Sequence, residues 1–282
     1  MEDRLSAEAI EDVQQRLGCN LPEPLLALYN THKDASQIGS TVEIRLMPLA
    51  EVVNLHQIIQ EEDWGNFVTK GVRIFWADDD GNFVGLYVTD LLEGKLCFVD
   101  HEEVDLSPDY NSVQSFVNTL AEASSQDLSW REIRRDYPTI QASVDPQVDL
   151  QDWKIAQSFR SLYEISHDDK IYHAFCTIIL TPYAKTDTLL TFTYDDNMHV
   201  QAKACEVLGQ RKYEPAIDRL AEVARSGTGN GKIASIIALG RINSKAARAC
   251  LEDLFSSLPQ GYHTYIKGAI SGWYSSPEMW FV

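Results

Sequence analysis

The chain has 282 residues, 44% of them hydrophobic and 10% aromatic, enough for one large or two ordinary cored domains and too many for wholesale disorder. Its net charge of −18 is uneven: residues 1–125 hold 23 acidic and 7 basic residues, net −16, whereas residues 126–282 hold 19 and 17, net −2. A field of that sign repels nucleic acid and anionic lipid and steers basic partners, or it simply keeps the segment soluble.

Residues 6–17 place Ile10, Val13 and Leu17 on one helical face, and Gly18 follows as a stop. Pro22 starts a second helix with Leu25, Leu28 and Tyr29 inside. Val42, Ile44 and Leu46 alternate with Glu43 and Arg45, the pattern of a half-buried strand. Pro48 opens a helix carrying Leu49, Val52, Val53 and Ile59, which runs into Glu61-Glu62-Asp63 before Trp64. A strand meander follows: Val72–Ala77, Phe83–Val88 and Lys95–Val99, with turns at Asp78-Asp79-Asp80-Gly81-Asn82 and Glu93-Gly94. Asp-Gly signals a hairpin because tight hairpin turns need positive φ. Ser112–Ala123 closes the segment as a helix with Val113, Phe116, Val117 and Leu120 inward, and this order of elements argues α+β.

Residues 126–150 are polar, contain Pro138 and Pro146, and read as a connector with a short helix near Trp130–Tyr137. From Asp152 the pattern is helical, through Trp153, Ala156, Phe159 and Tyr163 and then Ile171–Leu180. Two later segments, Val200–Gly209 and Lys232–Gly240, share an Ala/aliphatic pattern and a Leu-Gly ending, and their Leu-Gly pairs lie 31 residues apart. A weaker third copy ends at Gly272. Helix–turn–helix units at that period mark an α-solenoid, although adjacent amphipathic helices of one bundle give a similar pattern. Each Gly is expected to end its helix in the left-handed conformation, and the Ala residues to let helices approach. The expected organisation is an α+β domain over 1–125, a connector over 126–150 and an all-α repeat domain over 151–282.

No nucleophile elbow, zinc-protease pair, P-loop or dinucleotide glycine pattern is present. His167 and His173 do not share a helical face, and Cys97 with His101 reads as a strand cysteine near a surface histidine. Asp78-Asp79-Asp80-Gly81 fails the calcium-loop spacing, because counting back from Gly81 puts Trp76 at the first position. No cofactor or metal is expected. Five widely spaced cysteines without a CxxC pair read as reduced thiols. Met-Glu-Asp-Arg-Leu lacks the features of a signal peptide, and no apolar run reaches membrane-spanning length, so a soluble cytoplasmic protein is expected. The acidic clusters remain as candidates: Glu61-Glu62-Asp63 beside Trp64, Asp78-Asp79-Asp80, and Glu102-Glu103 within the Asp100–Asp109 run. They are either a solvated polar face or a docking face for a basic protein.

The N-terminal segment resembles the SUKH superfamily, named for yeast cell-wall synthesis regulators and related bacterial proteins. The residues that carry the resemblance are Ile10–Tyr29, Ile74–Val88, Phe98-Val-Asp-His-Glu102 and Ser112–Leu120, together covering about residues 5–123. His32–Ser36 stands where the family often has a Gly-rich end. The C-terminal third is similar to HEAT-like repeats. The resemblance implies a mixed, mainly antiparallel sheet with helices, no catalytic residues, and protein partners. Many bacterial members are implied to be immunity proteins against secreted toxins, often basic nucleases, and others to be regulatory scaffolds. The expected function is therefore non-enzymatic binding of a basic toxin domain, with a regulatory scaffold as the alternative. The expected contacts are Glu61, Glu62, Asp63, Trp64, Asp78, Asp79, Asp80, Glu102 and Glu103. HEAT-like repeats also occur in alkylpurine DNA glycosylases, which need a basic groove. The near-neutral repeat region here argues against that reading.

Overall fold

The computed structural model describes residues 6–31, 43–61, 71–99, 105–126, 128, 146–165 and 169–272. They fall into two compact units, one within 1–139 and one within 140–282.

The first unit begins with α1 (Ala7–Leu17), capped by Ser6, whose Oγ accepts from the Ala9 N–H. Gly18 at φ 67° stops it, and the N–H of Cys19 reaches back to the Gln14 carbonyl. Helix α2 (Glu23–Thr31) follows Pro22 and is tied down by the Tyr29 hydroxyl, which donates to the Met47 carbonyl at 2.7 Å. Strand β1 spans only Arg45–Leu46, shorter than the Val42–Leu46 alternation suggests, because Glu43 turns at φ 65°. Helix α3 (Leu49–Glu61) buries Val52, Val53, His56 and Ile59 and packs against α1 and the sheet.

The sheet is antiparallel in the order β1-β2-β3-β4, with β2 Val72–Ala77, β3 Phe83–Tyr87 and β4 Leu96–Val99. A register shift between Ile74 and Trp76 marks a bulge at Phe75. Gly85 lies opposite Ile74 and Cys97, and a Cβ there would sit 2.3 Å from the Val72 side chain. Helix α4 (Val113–Gln126) starts on a reciprocal cap in which Ser112 and Ser115 each accept the other's N–H at 3.1 Å. Its Phe116 meets Trp76 edge-on at 5.1 Å and Tyr110 at 5.0 Å, which closes one face of the sheet. Trp76 and Phe116 are fully buried, and each such ring stabilises the unit by about 2 kcal/mol or more.

A polar junction crosses this unit. Arg73 of β2 donates from Nε to the Leu17 carbonyl at 3.0 Å, a cation at the C-terminus of α1. His56 lies 6% exposed, and its Nε2 has no hydrogen-bond partner among the described residues. Burial first, and the Arg73 charge second, hold the His56 pKa below the ordinary 6.5. The folded state thus favours neutral imidazole, while the unfolded chain protonates near 6.5. Stability is present above that value and is lost as pH falls below it, toward the depressed folded pKa. The melting temperature of the wild type is expected to drop more between pH 7 and pH 5 than that of His56→Gln. Equal drops would remove His56 from the account.

The second unit opens with α5 (Pro146–Ile165). Pro146, a breaker in the sequence reading, sits at the first helical position, so this helix starts six residues before Asp152. Helix α5 packs along α6 (Lys170–Leu180). A run of 3₁₀ turns over Tyr183–Tyr194, with a kink at Lys185, has no counterpart in the periodicity reading. Arg211 is 4% exposed and donates to the Thr181 and Pro182 carbonyls and to Thr186 Oγ1, joining this run to the end of α6. Burial lowers its pKa to about 10, so it remains a cation at neutral pH.

Then come α7 (Met198–Gln210), α8 (Ile217–Ser226), α9 (Gly229–Ile242), α10 (Lys245–Ser257) and α11 (His263–Ile270). The repeat is visible in its punctuation. Asn197, Thr228 and Pro259 precede successive first helices at 31-residue intervals, and Tyr213 and Ser244 precede the second helices at the same interval. Helix α9 packs against α7 before it and α11 after it. Gly272, at φ 78° just past α11, follows the sequence expectation, but the first two glycines do not end their helices. Gly209 and Gly240 lie inside α7 and α9, and the left-handed residues are Lys212 and Asn243. A Cβ on Gly209 would stand 2.5 Å from Ala238 Cα, and one on Gly240 would stand 2.8 Å from Ala269 Cα. Each glycine is therefore the point where one repeat touches the backbone of the next. Gln201, 5% exposed, adds a polar clamp: its Nε2 donates to the Thr193 carbonyl and its Oε1 accepts from the N–H and hydroxyl of Thr228.

Candidate protein-interaction surface

The sheet register brings three chain segments to one end. Arg45 pairs with Ala77, Ala77 with Phe83, and Phe83 with Val99. The approach to β1, the β2–β3 turn and the exit from β4 therefore share an edge.

The turn holds Asp78, Asp79 and Asp80, and the three do different work. Asp78 is half-buried. Its Oδ1 accepts from the N–H groups of Asp80 (3.0 Å) and Asn82 (2.7 Å), and its Oδ2 accepts from the Asn82 amide at 2.8 Å. The Asp78 N–H donates in turn to the Asn82 carbonyl, and Gly81 takes φ 85°. Asp78 thus fixes the turn, with Oδ1 committed to two backbone N–H groups and Oδ2 to the Asn82 side-chain amide. Asp79 and Asp80 are exposed at the tip.

Glu43, exposed and held in its own turn, adds a carboxylate at this edge that the strand reading hid. Arg45 also lies there, but its guanidinium is 3.1 Å from Glu51. Such an exposed pair contributes under about 1 kcal/mol to stability, but it cancels the local positive charge. The edge is consequently negative, rigid at its base and solvated at its tip.

Of the other expected contacts, Glu61 is exposed at the end of α3. Glu62, Asp63, Trp64, Glu102 and Glu103 lie outside the described residues, as does His101 of the Cys97–His101 pair. Within the Asp100–Asp109 run, Asp105 accepts from the Ser107 N–H and Asp109 accepts from the Phe98 N–H, so both have local structural duties. Trp76, which flanks the aspartates in sequence, is a core residue at 0% exposure.

Among the described residues no group of three His, Cys, Asp or Glu side chains is arranged to hold a metal ion. No helix among them is long and apolar enough to cross a membrane.

Residues 4–119 match the model of the SMI1 / KNR4 family (SUKH-1). Comparison with curated proteins and with solved structures gave no match. The family is one of generally non-catalytic immunity and regulatory proteins that act by binding other proteins. The antiparallel sheet, four-stranded among the described residues, and its flanking helices agree with this match, so the segment 4–119 is similar to the SMI1 / KNR4 family of the SUKH superfamily, and a mostly helical part follows it in the chain.

Proposed function

We propose that this protein is an immunity-type inhibitor that binds and neutralises a basic toxin in the cytoplasm. The observation that carries the reading is the acidic sheet edge: Asp79 and Asp80 stand exposed on a turn that Asp78 locks, within a segment of net charge −16. A fixed negative tip on an acidic domain suits the active-site cleft of a nuclease, which is built to hold phosphate. Glu43, Glu61, Glu62, Asp63, Trp64, Glu102 and Glu103 complete the proposed contact set. The proposed organisation is a binding domain over 1–125, a connector over 126–150 and a repeat domain over 151–282 that enlarges the contact area. The non-catalytic character of the family supports binding over chemistry.

A second reading, a regulatory scaffold of the cell-wall-regulator type, draws on the repeat unit, since stacked helix pairs offer extended surface to several partners. The test is protection. The product of the neighbouring gene is expressed in a sensitive host with and without this protein. Wild-type protein is expected to restore growth, and Asp79→Lys with Asp80→Lys to weaken affinity about tenfold and lose protection at low expression. Full protection by the double variant would move the contact off this edge. Failure of the wild type would favour the scaffold.

A further inference from the structure

We draw no further inference here: the strongest candidate, the outward face of the stacked helices α7, α9 and α11, where Ala202, Ile233, Ile237 and Tyr265 stand partly exposed beside the Glu206–Arg241 ion pair, carries nothing because its charges are paired and nothing among the described residues shows what covers it.

Discussion

Replacing Gly209 with alanine is expected to destabilise the repeat unit, although alanine is the better helix former. Helix propensity alone favours Gly209→Ala by about 1 kcal/mol. The added Cβ would sit 2.5 Å from Ala238 Cα and 2.7 Å from its Cβ, and neither is the yielding end of a long side chain. Helices α7 and α9 must then separate by the better part of an ångström across a fully buried seam that includes Leu208, Leu239 and Ile236. Overpacking of that kind costs about 1–3 kcal/mol, and the loss of contacts along the seam adds to it. The net expectation is a loss of about 2 kcal/mol, or roughly 4–8 °C in melting temperature. Gly240→Ala is expected to behave in the same way against Ala269. Gly229 supplies the control, because it lies in the first turn of α9 with nothing within 4 Å of a built Cβ. Gly229→Ala is expected to leave stability unchanged or raise it slightly. Thermal melts of the three variants decide the matter, and stabilisation by Gly209→Ala would rule out glycine-mediated close approach as the basis of the repeat.

Asp78→Ala is the second large effect. It removes three hydrogen bonds, two to backbone N–H groups and one to the buried Asn82 side chain, all made by one carboxylate. Charge-assisted bonds of this kind contribute more than neutral ones, and the buried Asn82 side chain, 4% exposed, loses its bond to the carboxylate. A loss of about 2–3 kcal/mol is expected, with faster hydrogen exchange in β2 and β3. Asp79→Ala, one residue away and exposed, is expected to stay within about 0.5 kcal/mol of wild type. The two neighbours thus separate folding from binding: the first variant loses stability, the second keeps it, and charge reversal at 79 and 80 acts on the partner. Equal stability of both alanine variants would contradict the division of labour drawn for this turn.

Much of the fold was legible because it rests on local chemistry. Gly18 stops α1 at a left-handed residue, Asp-Gly closes the β2–β3 hairpin, and Leu-Gly at a 31-residue interval announces the repeat. Features set by tertiary contacts were not legible. The alternation at Val42–Leu46 overstated β1, because a turn at Glu43 competes with the strand. The bulge at Phe75 has no glycine or proline to mark it. Gly209 and Gly240 stand out in the sequence, but a helix contact and a helix terminator share the same Leu-Gly pattern, and only Ala238 and Ala269 opposite them tell the two apart. The Tyr183–Tyr194 run escaped notice because 3₁₀ turns lack the 3.6-residue periodicity. For the candidate surface, the acidic turn was plain, while the split between Asp78 and its neighbours depends on where each carboxylate points. A general signal existed in the Asx-turn habit of an aspartate two residues before the one it bonds.

The central claim, that the acidic edge binds a basic partner, is tested most directly by calorimetry of the purified protein with the product of its neighbouring gene at low and at high salt. The account predicts tight binding at low salt that weakens severalfold as salt rises, since the attraction is between exposed charges. Absence of binding, or binding indifferent to salt, would contradict it.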